Sequence, residues 1–298
     1  MNQIPDVGKI AGEVTYHDRP EVSATMLKSM ARGWRTFEAE HVTKTAVREE
    51  TDAMKLGTLI HAAILEPQEY EFRYCLAPEN VDQLPTQTIK DMQQACRQEG
   101  IKGFSKLDKA GLIEVLESVG IETYEDWAAR MIGTREVVKP AHAKIVDEVR
   151  SRVFHHPMAR TLLTAGRAER EWLWTFNGVD CRAKTDWTTG DIVVDVKTCQ
   201  DARPQPFGRE IAKYRYDLQA AHYLDGTKAQ KFIFLAVETT VPFRVRHYSM
   251  FDADMAEARK ERNELLEEYK RRVAANDWSE PGEDQLQTVF LPNYRGDR

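Results

Sequence analysis

Residues 171–199 read EWLWTFNGVDCRAKTDWTTGDIVVDVKTC, and this stretch decides the fold. EWLWTF alternates apolar and polar side chains as a half-buried strand does. Asn177-Gly178 accepts left-handed backbone at both positions and joins antiparallel strands in a tight hairpin. VDCRAKTDW returns as the second strand, Thr188–Asp191 turns again, and IVVDVKT is the third. That third run is apolar at almost every position, as in a strand covered on both faces. Asp195 interrupts it, and a carboxylate there is costly unless a partner or a metal compensates. Lys197, two residues on, projects to the same face. Asp186, near the end of the second strand, is brought alongside by the short turn. Two carboxylates and an ammonium converging on a sheet edge suit phosphodiester hydrolysis. Hard carboxylate oxygens favour Mg²⁺ or Mn²⁺. The ion polarises the phosphoryl oxygen, and the lysine orients or deprotonates the water and offsets developing charge. D-x-K by itself is also a common surface ion pair.

Outward from this meander the elements alternate. Residues 209–224 are expected as one helix, with Ile211, Tyr214, Leu218, Ala221 and Tyr223 partly in register, followed by strands KFIFLAVE (231–238) and FRVRHYSM (243–250). Asp252–Ala275 is a long helix with Met255, Ala258, Leu265, Leu266, Tyr269 and Val273 inward and its charges mostly a solvated face with i,i+4 pairs; the tail from Asn276 is expected to be irregular. Toward the N-terminus, Ser23 caps a helix carrying Met26, Leu27, Met30 and Trp34. A second helix spans Asp52–Leu65 and is stopped by Pro67, and Glu71–Ala77 is a short strand. Residues 85–126 form a helical insert: one helix in TIKDMQQACRQEGI, an extended turn, a capping-box-like Ser105/Asp108 pair and a second helix. Two further helices fall near Lys139–Val153 and His156–Ala165. The order predicts an α/β core with a mixed central sheet, formed by residues 1–84 and 127–298, with N-terminal helices and the insert.

Composition narrows the function. Hydrophobic residues make up 42% of the 298 and charged residues 30%, with no apolar run long enough to span a membrane. MNQIPDVGKIAGEV lacks the pattern of a signal peptide, so the expected address is the cytoplasm. The net charge of −6 speaks against coating nucleic acid by bulk charge but permits a local basic groove beside metal-binding carboxylates. Cys75, Cys96, Cys181 and Cys199 form no C-x-x-C pair, which argues against a zinc or redox motif.

Asp186…Asp195-x-Lys197, followed by a helix with Gln219-x-x-x-Tyr223, resembles the PD-(D/E)xK nucleases of the RecB and exonuclease VIII (RecE-like) branch. GTLIHAAILEP (57–67) resembles that branch's histidine helix, and YRYDLQAAHYLDG (214–226) its following segment. The resemblance covers nearly everything outside the insert. It implies a Mg²⁺-dependent exodeoxyribonuclease, degrading duplex ends 5′ to 3′ in phage or prophage recombination. Asp186, Asp195, the Val196 carbonyl and His61 would be metal ligands and Lys197 the catalytic lysine. Gln219 and Tyr223 would hold the lysine or the DNA strand. His61, judged by its apolar neighbours alone, reads as a core histidine. Glu171 reads as a solvent-facing strand residue, or as an acid near the site. Nothing after Cys199 is a cysteine, so the iron–sulfur cluster of some RecB-branch nucleases is not expected.

A basic, aromatic stretch of Arg203, Phe207, Arg209, Lys213, Tyr214, Arg215 and Tyr216 is the expected backbone contact. GIKGFSKLDKAGLIEVL resembles SAP and Rho-N-type modules, with Lys102, Lys106 and Lys109 placed for phosphates; a structural insert is equally compatible. The family further implies a RecT-like single-strand annealing partner and a ring-like homo-oligomer, a tetramer. The rivals are a structure-specific or restriction-type endonuclease on the same core, and a catalytically degenerate DNA-binding accessory protein.

Overall fold

The computed structural model describes residues 16–46, 49–77, 88–133, 135–286 and 288. Ser23 caps α1 (Ala24–Arg32) by accepting from Met26 N–H, and α2 (Trp34–Phe37) follows directly. Thr51 caps α3 (Asp52–Leu65). α3 ends at Glu66, and Pro67 opens α4 (Pro67–Arg73) from its first turn, where its missing N–H costs nothing. The strand expected over Glu71–Ala77 is therefore shortened to β1 (Tyr74–Leu76), because α4 takes the residues before it.

α5 (Ile89–Gln98) and α6 (Lys109–Ser118) enclose a small core of Met92, Cys96, Leu112 and Leu116. Asp108 alone caps α6, accepting from Gly111 N–H at 2.9 Å; Ser105 lies in the preceding 3₁₀ turn and not in a capping box. α7 (Tyr124–Met131) runs across the boundary expected at residue 126, and the boundary expected at 85 lies outside the described residues. β2 (Glu136–Val138) pairs in parallel with β1. α8 (Pro140–His155) and α9 (Pro157–Thr164) follow.

β3 (Arg167–Phe176) turns into β4 (Val179–Thr189) through Asn177 and Gly178, at φ 48° and 82°, and β5 (Ile192–Cys199) returns after Gly190-Asp191. α10 (Pro204–Tyr214) and α11 (Tyr216–Thr227) cross to β6 (Lys231–Glu238), which runs parallel to β5; β7 (Val245–Tyr248) pairs antiparallel to β6. The sheet order is β3-β4-β5-β6-β7, a mixed central sheet as expected. α3, α8 and α9 cover one face over Val194, Val196, Leu235 and Val237. α10 and α11 cover the other over Val193, Phe232, Phe234 and Ala236. This explains why β5 is apolar in both directions.

β4 and β5 do not stay together. They pair only at Trp187–Val194, Thr188–Val193 and Thr189–Ile192. Before that, β4 pairs with the N-terminal chain: Val22 N–H donates to the Asp180 carbonyl, and Arg182 N–H to the Val22 carbonyl, both at 2.9 Å. β5 keeps β6 throughout. The two strands thus fork at Asp186. The alternation of β4 slips there too, since Ala183 packs toward α10–α11 and Trp187 toward α3 and α8. Glu169, opposite Asp186 in register, has φ 50°.

Two expectations change in the C-terminal half. The single helix over 209–224 is two helices, because α10 begins at Pro204 and Arg215 adopts a left-handed conformation (φ 54°, ψ 45°). In α12 (Asp252–Ala275) the charges are not all solvated: Arg262 and Arg272 are buried, while Val273 is half-exposed. The described part of the tail is irregular, as expected, and is anchored, with Arg272 donating to the Asp277 and Ser279 carbonyls and Trp278 packed beside Trp34 and Phe37.

His222 of α11 is fully buried, facing the Val22 and Arg182 carbonyls at 3.2 and 3.0 Å. Burial, then the Arg262 charge, push its pKa down to about 3. In the unfolded chain it would titrate near 6.5. Below that pH the unfolded state gains a proton that the folded state refuses. Stability from this group is flat above about 6.5 and falls as pH drops toward 3, by about 2 kcal/mol between pH 7 and 5. The expected NMR signature is an imidazole resonance of His222 that stays at its neutral position down to pH 5. A midpoint near 6.5 in the folded protein would contradict this burial.

Candidate active site

The fork brings groups from α1, α3, β4, β5 and α11 together. Asp195 is 0% exposed. Its Oδ1 accepts from Gln219 Nε2 at 2.7 Å, and its Oδ2 is contacted by the Lys197 ammonium. Gln219 Oε1 accepts in turn from Lys28 Nζ at 2.7 Å. The Tyr216 ring faces both ammoniums, with centroid distances of 4.8 Å to Lys197 and 4.9 Å to Lys28. Across the fork, Asp186 Oδ2 accepts from Val196 N–H at 2.8 Å, and His61 Nδ1 lies 3.5 Å from the same oxygen. Where β4 no longer supplies a ladder partner to β5, the Asp186 side chain does so.

Charge is concentrated here. Burial, followed by the Asp195 charge, pushes the Asp186 carboxyl up to about 6. Burial works against the Lys197 ammonium, but Asp195 and Asp186 outweigh it and hold its pKa above the ordinary lysine value. Lys28 goes the other way, down to about 7, through burial and the neighbouring Lys197. Burial also raises Tyr216 to about 12 and Tyr223 well above 10.

These residues fit a hard divalent cation in two respects. Asp195 is fully buried, and its Oδ2 is set against the Lys197 ammonium, which leaves acceptor capacity on a buried carboxylate. The mutual repulsion of Asp186 and Asp195 is what a cation would relieve. Among the described residues no group of three or more His, Cys, Asp or Glu side chains could hold a metal ion as they are placed. A cavity of about 320 Å³ lined by Arg167, Arg170, Trp172 and Lys228, at the Gly190 end of the sheet, contains none of these groups.

Gln219 touches Asp195 directly. Tyr223 is buried, packing near Phe232 while feeling the charges of Asp195 and Asp186. Arg209 and Lys213 are exposed on α10. Arg215 is not presented outward: its guanidinium is bound by Asp217 and Glu261 and holds the α10–α11 joint to α12. Arg203 is paired with Asp201, and Phe207 is core. Glu171 lies 3.9 Å from Arg19, and the β3 acid whose charge reaches Asp186 is Glu169. The motif reading missed Lys28. Its signal was a lysine in α1 whose neighbours Met26, Leu27, Ser29 and Met30 are buried around most of the helix.

A family model described as "PDDEXK-like domain of unknown function (DUF3799)" matches residues 23–285. A candidate exonuclease from Eubacterium rectale superposes over 91% of this chain and 90% of its own, with TM-score 0.51 and 13% identity. A phage-related exonuclease from Haemophilus somnus 129PT covers 66% of this chain and 94% of its own, with TM-score 0.32 and 13% identity. No curated protein matches.

Proposed function

The chain belongs to the PDDEXK-like family, and from that premise we propose that it is a divalent-metal-dependent deoxyribonuclease of the exonuclease VIII type, degrading duplex DNA from its ends, 5′ to 3′. The observation that carries this reading is the meeting of Asp186, Asp195 and Lys197 at the fork. Asp186 and Asp195 would hold Mg²⁺, or Mn²⁺ in its place, with the Val196 carbonyl and His61 as further donors. The bound ion supplies Lewis-acid polarisation of the phosphoryl oxygen and a more acidic water. Lys197, kept as an ammonium by its carboxylate neighbours, offsets negative charge as it develops on the phosphate. Gln219 fixes the Asp195 carboxylate, and the Tyr216 ring faces the Lys197 ammonium. Arg209 and Lys213 supply phosphate contacts along the strand.

We extend the reading to phage or prophage recombination, with a RecT-like annealing protein taking the 3′ strand and a tetrameric ring enclosing the duplex. The insert over 85–126 adds a second nucleic-acid contact through Lys102, Lys106 and Lys109. Incubation of end-labelled linear duplex and closed circular plasmid with Mg²⁺ tests the core of this. Nucleotides should leave the linear ends, the circle should survive, and EDTA should stop the reaction. Cutting of the circle would make the enzyme an endonuclease, and an inert linear substrate would refute the nuclease reading. Light scattering with and without a DNA end checks the assembly.

His61→Ala should reduce turnover by about tenfold or more while the melting temperature moves little. Its ring is part-exposed at the Asp186 carboxylate, outside the cluster beneath α3. A lower melting temperature with full activity per folded molecule would return His61 to the core.

A further inference from the structure

Either end of the Gln219 amide could meet Asp195, and the two ends have nearly the same shape. The nitrogen end donates to the carboxylate, whereas the oxygen end would repel it. Lys28, on the far side of the amide, enforces the same choice from the other end. A protonated Lys28 has three donors and no acceptor, so at 2.7 Å it donates to the oxygen end of Gln219. The nitrogen end is thereby left for Asp195 Oδ1, also at 2.7 Å. Lys28 is half-buried on α1, between the buried Leu27 and Ser29, and shares the Tyr216 ring with Lys197. Two ammoniums against one ring, away from bulk water, repel and lose hydration. Burial and Lys197 accordingly depress the Lys28 pKa to about 7. A methionine there would pack as well and avoid that cost.

We propose that Lys28 is a positioning residue of the nuclease site, which fixes the Gln219 amide so that its NH₂ holds Asp195 Oδ1 and leaves Oδ2 turned toward Lys197. This rests on the nuclease reading above. Lys28 acts through Gln219, so its loss should lower kcat and leave DNA affinity alone.

Wild type, Lys28→Met, Gln219→Met and the double variant are compared on a short labelled duplex with Mg²⁺. Lys28→Met should lower kcat about tenfold with KM within about twofold, as losing an outer hydrogen-bond partner does. In the Gln219→Met background it should change nothing further, and Lys28→Arg, which keeps charge and donors, should recover most of the rate. A readout independent of turnover is the side-chain amide pair of Gln219, identified by its disappearance in Gln219→Met. It should exchange slowly with solvent in the wild type and faster in Lys28→Met. Equal losses in both backgrounds, a loss confined to KM, or unchanged amide exchange would each overturn the proposal. Melting curves confirm that each variant is folded, and Lys28→Gln replaces Lys28→Met if the latter is not. Absence of any Lys197-dependent cutting in the wild type would instead defeat the nuclease reading, while the amide exchange still decides the Lys28–Gln219 coupling.

Discussion

Lys197→Met should remove DNA hydrolysis by about a hundredfold or more, the effect of losing a preorganised positive charge where negative charge develops. The same substitution has a second, opposite-looking consequence. Asp195 is fully buried, and Lys197 is the cation against its Oδ2. Without the ammonium, two carboxylates at the fork face each other uncompensated, so the metal-free variant should melt below wild type. Added Mg²⁺ or Ca²⁺ should recover the melting temperature without recovering hydrolysis, and duplex-end binding in Ca²⁺ should persist. This combination separates a lost catalytic charge from a lost fold. Near-wild-type cutting by a folded Lys197→Met would sink the assignment.

The largest stability effect should come from Asp225→Ala. Arg262 of α12 is 2% exposed, and its guanidinium meets Asp225 Oδ2 at 2.7 Å. It also lies 4.4 Å over the Phe176 ring. Trp174 Nε1 donates to the same aspartate at 2.9 Å. Removing the carboxylate strands a buried cation and an indole N–H, a loss of about 3–5 kcal/mol. For a chain of this size that is a drop in melting temperature on the order of 10 °C. Replacing both partners, Asp225→Leu with Arg262→Met, should recover most of it, since an apolar pair of similar volume has no charge to compensate. An unfolding free energy from urea titration of Asp225→Ala within about 1 kcal/mol of wild type would show that the pair contributes little.

The strands and the meeting of Asp186, Asp195 and Lys197 were legible because they rest on local patterns. Alternation, an Asn-Gly turn and a charge inside an apolar run each lie within a few neighbouring residues. What was not legible depended on groups distant in sequence. Nothing in Tyr214-Arg215-Tyr216 signals a left-handed residue; it is held by Asp217 and by Glu261 on another helix. The charges of α12 read as solvated because arginines at helical spacing usually are. Arg262 and Arg272 are buried because Asp225, Asp277 and Ser279 happen to face them. Glu171 and Glu169 lie on one strand, and the β3–β4 register, which sets Glu169 opposite Asp186 and Glu171 opposite Lys184, decides which acid senses Asp186.

The stitching of Val22 into the fork also sets a timetable. Lys28 and Gln219 are 191 residues apart, and Val22 finds its partner strand only when β4 exists. Loop closure over such a span comes late in folding, after the local hairpin and helices have formed. On the ribosome, α1 must therefore wait for most of the chain to emerge before it has a surface to dock on. A chain that stops short of α11 carries Asp195 and Lys197 without Gln219, the amide that holds the Asp195 carboxylate.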